Sequence, residues 1–157
     1  MSQQLDIARS HLETMVERIT RSDKVMPDHD GDYFVKTRHG GFYARVDGVE
    51  IPILRVFAVI SKDINCSADL LEELNAINCR LTFPRVMWVQ KQVLMETNAI
   101  ALETTTNEFH IMCSEVGSAS EAFGPQILHK FGGTASFAET REEDQIEPPL
   151  PRGPGFI

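Results

Sequence analysis

Apolar residues recur every three or four positions in three segments of the chain, which is the spacing of one face of an α-helix. These segments are residues 2 to about 22, about 68 to 79 and about 106 to 131. Ser67 stands where an N-cap residue is expected, and Thr105 with Glu108 has the spacing of a capping box. Gly132-Gly133 is predicted to close the third helix. The pattern therefore predicts three helices.

Runs rich in aromatic and β-branched residues predict five strands between these helices. The predicted strands are residues 33–37, 42–46, 51–60, 83–89 and 93 to about 101. Turns are predicted at His39-Gly40-Gly41 and at Lys91-Gln92, so each of the two turns closes a hairpin. The order α-βββ-α-ββ-α predicts an α+β fold, with one antiparallel sheet and the helices packed on one face.

Alternation along the strands divides the predicted sheet into two faces, because opposed residues of a hairpin share a face. One face is aliphatic and suits the helices. The other face mixes aromatic, aliphatic and charged side chains. It comprises Phe34, Lys36, Arg38, Tyr43, Arg45, Asp47, Ile53, Arg55, Phe57, Val59, Arg85, Met87, Val89, Leu94 and Glu96. A simple solvent face should be mostly polar, so this surplus predicts an interface.

Arginine and aromatic side chains are favoured in protein interfaces, and the mixed face carries both. We therefore predict that it binds a peptide or a partner protein, by its side chains or by a sheet edge. The candidate binding residues are Phe34, Tyr43, Arg45, Arg55, Phe57, Arg85 and Met87. The alternative is that the third helix or the C-terminal segment covers this face.

Composition and charge exclude several classes of protein. The chain has 157 residues, 42% of them hydrophobic, and a net charge of −8, which disfavours binding to nucleic-acid phosphates. The sequence contains no apolar run of about 20 residues and no signal-peptide pattern, so neither a membrane partner nor export is predicted. Three cysteines without CxxC spacing favour reduced thiols, and hence a cytoplasmic protein.

The composition changes near residue 134. From residue 138 onward there are five acidic and two basic residues, and four of the chain's eight prolines. We therefore predict a domain over residues 1–133 and an acidic, proline-rich tail over 134–157. The tail ends in Phe156-Ile157, an apolar tip that could dock into a groove lined by Arg45, Arg55 or Arg85. A free terminus is the alternative.

Known catalytic and cofactor motifs are missing from the sequence. The five histidines lack metal-binding spacing, and Asp28–Asp32 lacks the later ligands of a calcium loop. There is no phosphate-binding loop and no serine-hydrolase motif. We therefore predict no cofactor, no metal and no catalysis. The alternative is a small enzyme or small-molecule sensor in the helix–sheet crevice, using Glu96, His110 or Cys113.

The stretch from Leu70 to Gly133 resembles the YbjN-type proteins common in actinobacteria. The similarity is carried by Leu70-Leu71, Leu74-Asn75, Ile77-Asn78, Phe83 to Trp88 and Phe131-Gly132-Gly133. The rest of residues 1–133 fits the same plan. The resemblance implies a fold related to class I type III secretion chaperones. It also implies a non-enzymatic bacterial protein, chaperone-like or regulatory, that binds peptides and forms homodimers. Such a dimer would bury part of the mixed face or the helix surface near Leu71 and Asn75.

Overall fold

Three helices lie against one face of an antiparallel sheet in the computed structural model, which describes residues 3–37, 40–48 and 50–136. The elements are α1 (Gln3–Thr20), β1 (Tyr33–Thr37), β2 (Gly40–Asp47), β3 (Ile53–Lys62), α2 (Ala68–Asn78), β4 (Arg85–Val89), β5 (Gln92–Ile100), α3 (Thr106–Phe131) and β6 (Thr134–Ala135). The strand order is β1-β2-β3-β5-β4, and the short β6 pairs with the end of β3. The predicted α+β fold and the order α-βββ-α-ββ-α are confirmed.

Both hairpins turn at positions other than those predicted. Thr37 pairs with Gly40, so Gly40 and Gly41 belong to β2 and not to a turn, while His39 lies outside the described residues. Val89 pairs with Gln92, so Gln90 and Lys91 form the second turn, with φ of 48° and 62°. The predicted turns are therefore wrong. In each hairpin, however, the observed pairing is shifted from the predicted one by an even number of residues. Every side chain consequently keeps its predicted face.

The helix-facing side of the sheet carries two clusters of buried side chains. The first joins α1 and the first half of α3 to β1, β2 and β3, and includes Leu12, Val16, Phe42, Leu54, Val56 and Phe109. The second joins α2 and the second half of α3 to β4 and β5, and includes Leu70, Ile77, Val86, Met95 and Ile127. The alternative that the third helix covers the mixed face is therefore wrong. The alternative that the C-terminal segment covers it lies outside the described residues.

The predicted helix ends are confirmed by hydrogen bonds. Ser67 Oγ accepts from the amide of Leu70 at 3.1 Å, and Thr105 forms a reciprocal capping box with Glu108. Gly132 ends α3 with φ of 75°, and its amide donates to the Leu128 carbonyl. The helix continues through Pro125 without a break.

The β4 edge of the sheet is partly closed by α2. The side-chain amide of Asn78 donates to the Val86 carbonyl at 2.9 Å, and its oxygen accepts from the Val86 amide at 2.8 Å. One side chain thus satisfies the two backbone groups of an edge residue that point away from β5. Natural proteins blunt exposed sheet edges in such ways, which limits edge-to-edge pairing.

Replacing Asn78 with alanine is expected to lower the free energy of unfolding by about 1–3 kcal/mol, because two part-buried backbone groups lose their partner. Urea unfolding of the two proteins measures this difference. Asn107→Ala, on α3 and exposed, is the matched control and should change stability by less than about 0.5 kcal/mol. Equal effects of the two substitutions would contradict this role of Asn78.

Candidate functional site

The sheet face opposite the helices, hereafter the outer face, carries a continuous row of side chains across all five long strands. Phe34 on β1 pairs with Tyr43 on β2, which pairs with Phe57 on β3. Phe57 in turn pairs with Glu96 on β5, and Glu96 with Arg85 on β4. Directly opposed residues on antiparallel strands have side chains close enough to interact. The row therefore begins with three aromatic rings and ends with an ion pair.

The aromatic half of the row is packed ring against ring. The centroids of Phe34 and Tyr43 are 5.0 Å apart, and those of Tyr43 and Phe57 are 5.3 Å apart with the planes nearly parallel. These are favourable separations for aromatic pairs. Gly41 is required beside them, because a Cβ at that position would lie 2.5 Å from the Phe34 ring. The glycine that the sequence assigned to a turn thus makes room for this ring.

Two arginines lie over the last ring of the row. The guanidinium carbons of Arg45 and Arg55 are 5.0 and 5.9 Å from the centroid of Phe57, within the range of a cation–π contact. Phe57 is only 8% exposed beneath these arginines. Val59, further along β3, is also 8% exposed. The expectation that these two residues would be exposed is therefore wrong. The stems of long charged side chains cover apolar surface of this kind while their charged ends reach water.

Glu96 is the buried acid of the outer face, with an exposed fraction of 4%. Its carboxylate accepts hydrogen bonds from Arg55 and, at 3.3 Å, from Arg85. Burial raises the pKa of Glu96, but the charge of Arg55 and hydrogen bonds from Arg55, Asn98 and Arg85 together outweigh it, so the pKa lies below its ordinary value. Arg55 also pairs with Asp47 at 3.3 Å. No partner for Glu96 was evident from the sequence pattern, and the fold brings Arg55 and Arg85 to it.

Arg45 is held by Asp32 and by Asp47, the acid that also pairs with Arg55. Its Nη1 is 3.4 Å from Asp32 Oδ1, and its Nε is 3.3 Å from Asp47 Oδ2. Burial raises the pKa of Asp32, and the positive charge of Arg45 only partly opposes this. Asp32 precedes β1 in a turn-rich stretch, so the sequence pattern did not place it beside the face. Arg45 and Arg55 are therefore fixed in place as well as charged.

The seven predicted binding residues all lie on the outer face. Met87 opposes Leu94 in the row next to Arg85, and both are half-buried. Arg85 has the most exposed side chain of the three arginines, at 62%. Ile100, which the sequence analysis did not include, opposes Ile53 at one end of the face and is 50% exposed. The face thus combines a rigid aromatic centre with accessible aliphatic and arginine side chains.

The residues predicted for an enzyme or sensor site are not brought together. Glu96 lies on the outer face, whereas Cys113 belongs to the cluster on the helix-facing side. Burial raises the pKa of the Cys113 thiol well above its ordinary value, which disfavours the reactive thiolate. His110 lies on α3, half-buried. Within the described residues, these three do not form an acid–base or nucleophilic arrangement.

The acidic turn before β1 brings three potential ligand atoms together. Asp28, His29 and Asp30 have ligand atoms within 4.8 Å of one another, and all three are exposed. One carboxylate oxygen of Asp28 already accepts from the amides of Asp30 and Asp32, both at 2.9 Å. The cluster therefore organises the turn that leads into β1.

The fold is that of type III secretion chaperones. A chain of the HopA1–SchA chaperone–effector complex matches with a TM-score of 0.59 at 7% identity, covering 76% of this chain and 98% of that one. A chain of the ExsC–ExsE complex gives 0.58 at 14% identity, with coverage of 81% and 97%. The Yersinia pestis secretion chaperone SycH, in complex with a stable fragment of YscM2, gives 0.52 at 12%, with coverage of 73% and 98%.

The chain belongs to the TY-Chap1 family, described as type III secretion system (YopN, CesT) and YbjN peptide-binding chaperone 1. The family model matches residues 6–139. The predicted resemblance to YbjN-type proteins is thereby confirmed, as is the prediction of a chaperone-like module that binds peptides or proteins. No curated protein matches the sequence. In the part of the chain that the structure describes, every helix is too short or too polar to cross a membrane.

Proposed function

We propose that the outer face is the surface on which this protein binds a peptide or a segment of a partner protein. The row of packed rings from Phe34 to Phe57, flanked by fixed arginines, is the observation that carries the proposal. Rigid aromatic and arginine side chains bind with little loss of conformational freedom, and they are enriched among the residues that dominate interface energies. The binding residues would be Phe34, Tyr43, Arg45, Arg55, Phe57, Arg85 and Met87.

Backbone pairing at the β4 edge should contribute little to the contact. Peptides that add a strand to a sheet need free backbone groups at its edge. On β4 the outward groups of Val86 are already bonded to Asn78. This favours the outer face over the β4 edge as the place of binding.

The charge distribution on the outer face favours a mixed rather than a strongly acidic partner. Asp32, Asp47 and Glu96 neutralise Arg45 and Arg55. These two arginines therefore offer a partner partly buried side chains in fixed positions rather than free positive charge. Arg85 also pairs with Glu96, but its side chain remains 62% exposed. A segment with apolar side chains and one acidic group near Arg85 fits this surface.

The cellular setting follows from the same proposal. We propose a bacterial, cytoplasmic protein. The family, the net charge of −8 and the exposed free thiols at Cys66 and Cys79 support this setting. Neither nucleic acid nor membrane is among the proposed partners, and no catalysis is proposed. The matched chaperone–effector complex supports a protein as the partner. Residues 1–133 would form the binding domain and 134–157 the tail.

A pull-down with the full chain tests the outer face. The paired variant Phe57→Asp, Met87→Asp introduces two charges, and we expect it to lose at least about nine-tenths of the captured partner, since tenfold corresponds to about 1.4 kcal/mol. Ile111→Asp is the matched control, because Ile111 lies on α3 and is 42% exposed. Circular dichroism establishes that the variants are folded. Equal capture by all three folded proteins would contradict the proposal.

We also propose that the protein is a homodimer. Leu71 on α2 is 48% exposed and Phe83 before β4 is 63% exposed. Burial against a second copy, near Leu71 and Asn75, would remove this surface from water. Light scattering after size-exclusion chromatography should give twice the chain mass of 17.6 kDa. A monomer at high micromolar concentration would contradict dimer formation.

A further inference from the structure

Two aliphatic patches lie on the outer face toward opposite ends of β5. Met87 and Leu94, which oppose each other on β4 and β5 and are half-buried, form the methionine patch. Ile53 and Ile100, which oppose each other on β3 and β5, form the isoleucine patch, and Ile100 is 50% exposed. Leu94 and Ile100 are six residues apart on one strand, which corresponds to about 20 Å.

A polar stripe separates the two patches. The pair of Arg85 with Glu96 lies one row from the methionine patch, and the exposed Asn98 lies one row from the isoleucine patch. Within the described residues, Arg85 contacts Glu96 through Nη2 at 3.3 Å and pairs with no other acid. Its side chain is 62% exposed. The guanidinium therefore has further donors with which to bind a carboxylate from a partner.

We propose that the outer face binds an extended segment that runs along β5 and carries two apolar residues six positions apart, with an acidic residue two positions from the first. The inference rests on the function proposed above and adds the pattern of the partner. Alternate residues of an extended chain point to one side about 7 Å apart, which matches the spacing of the rows on the sheet. Positions one, three and seven then meet the methionine patch, Arg85 and the isoleucine patch.

The polar stripe disfavours an amphipathic helix as the partner. Such a helix presents a continuous apolar face, so along 20 Å it would also place apolar side chains on Arg85 and Asn98. Covering these polar groups without a hydrogen-bond partner is unfavourable. In an extended segment, the third position supplies a carboxylate for Arg85, and the fifth can carry a polar side chain for Asn98. The order of patches and charges thus favours an extended segment of mixed polarity.

Selection of a random dodecapeptide library on the immobilised full chain tests this pattern. The recovered peptides should share two apolar residues six positions apart, with Asp or Glu two positions from one of them. Selection on Arg85→Glu should replace that acid with Lys or Arg at the same position. Lys24→Glu is the matched control, because Lys24 is exposed and lies between α1 and β1 rather than on a strand. It should leave the selected pattern unchanged.

Fluorescence anisotropy with one recovered peptide measures the size of each effect. Replacing its acid with the matching amide should weaken binding to the wild type about three- to tenfold and should not change binding to Arg85→Gln. Moving the apolar residue at the isoleucine patch by one position turns it away from the face, which should weaken binding about tenfold or more.

Two results would overturn this inference and leave the proposed function standing. One is a set of peptides that lose binding to the folded paired variant Phe57→Asp, Met87→Asp but share no such spacing. The other is an acid preference that persists in Arg85→Glu, which would assign the carboxylate to another site. Peptides that bind the folded paired variant as well as they bind the wild type would contradict both the inference and the proposed function.

Discussion

Replacing Phe42 with alanine is expected to lower the free energy of unfolding by about 3–5 kcal/mol. The ring is 1% exposed and belongs to the cluster that joins α1 and α3 to the sheet. Gly117 on α3 lies close to the ring, with 4.0 Å from the position of a Cβ to Phe42 Cδ1. Since Gly117 has no side chain to fill the space, the structure can collapse only partly, and most of the cavity remains.

The neighbouring substitution Tyr43→Ala is the matched control for this prediction. Tyr43 is the next residue along β2 but lies on the outer face, half-buried between Phe34 and Phe57. Loss of its ring contacts should cost about 1–2 kcal/mol. Urea unfolding, followed by the fluorescence of Trp88, measures both. Equal losses would contradict the division of the sheet into a core face and an outer face.

Arg55→Met is expected to destabilise the protein by about 2–3 kcal/mol, somewhat below the 3–5 typical of a broken buried pair. Glu96 is almost fully buried, so removing Arg55 leaves a buried negative charge with one positive partner fewer. The effect is reduced because Arg55 is itself partly exposed and Arg85 still contacts Glu96. The double variant Arg55→Met, Glu96→Met should recover most of the loss, since a well-packed apolar pair replaces the charges.

The pH dependence of Arg55→Met gives a separate test of the same ion pair. The pKa of Glu96 is lowered in the folded protein, so the pair stabilises above the ordinary glutamate pKa and is lost as pH falls through the folded value. The destabilisation caused by Arg55→Met should therefore shrink as the pH falls below about 4. A difference in stability that is independent of pH would contradict the assignment of Glu96 as the buried ionised partner.

The faces of the sheet could be predicted from the sequence even though its turns could not. A strand's side chains change face only when the register shifts by an odd number of residues, and an even shift leaves them where they were. Both predicted turns were displaced, yet Phe42 and Tyr43 lie on the faces assigned to them, as do Val86 and Met87. The capping residues Ser67 and Thr105 were predictable for a similar reason, because their hydrogen bonds are local.

The contacts across β3 and β5 could not be predicted, because these strands are joined through α2 and β4 and no tight turn fixes their register. That register places Glu96 opposite Phe57 and within reach of Arg55. It also contains an irregularity between Val59 and Ser61, which alternation alone does not reveal. The cover of Phe57 by two arginines depends on this register and on long, flexible side chains. The sequence therefore predicted the composition of the outer face but not its internal pairing.

Site-specific photo-crosslinking tests the proposed binding surface most directly. A photoreactive phenylalanine at Tyr43 reports on the outer face, and the same group at Ile111 reports on an exposed site of α3. With the partner recovered by the wild-type chain, we expect a covalent product from position 43 and none from position 111. Crosslinking from position 111 with none from position 43, in proteins that bind the partner as the wild type does, would contradict binding on the outer face.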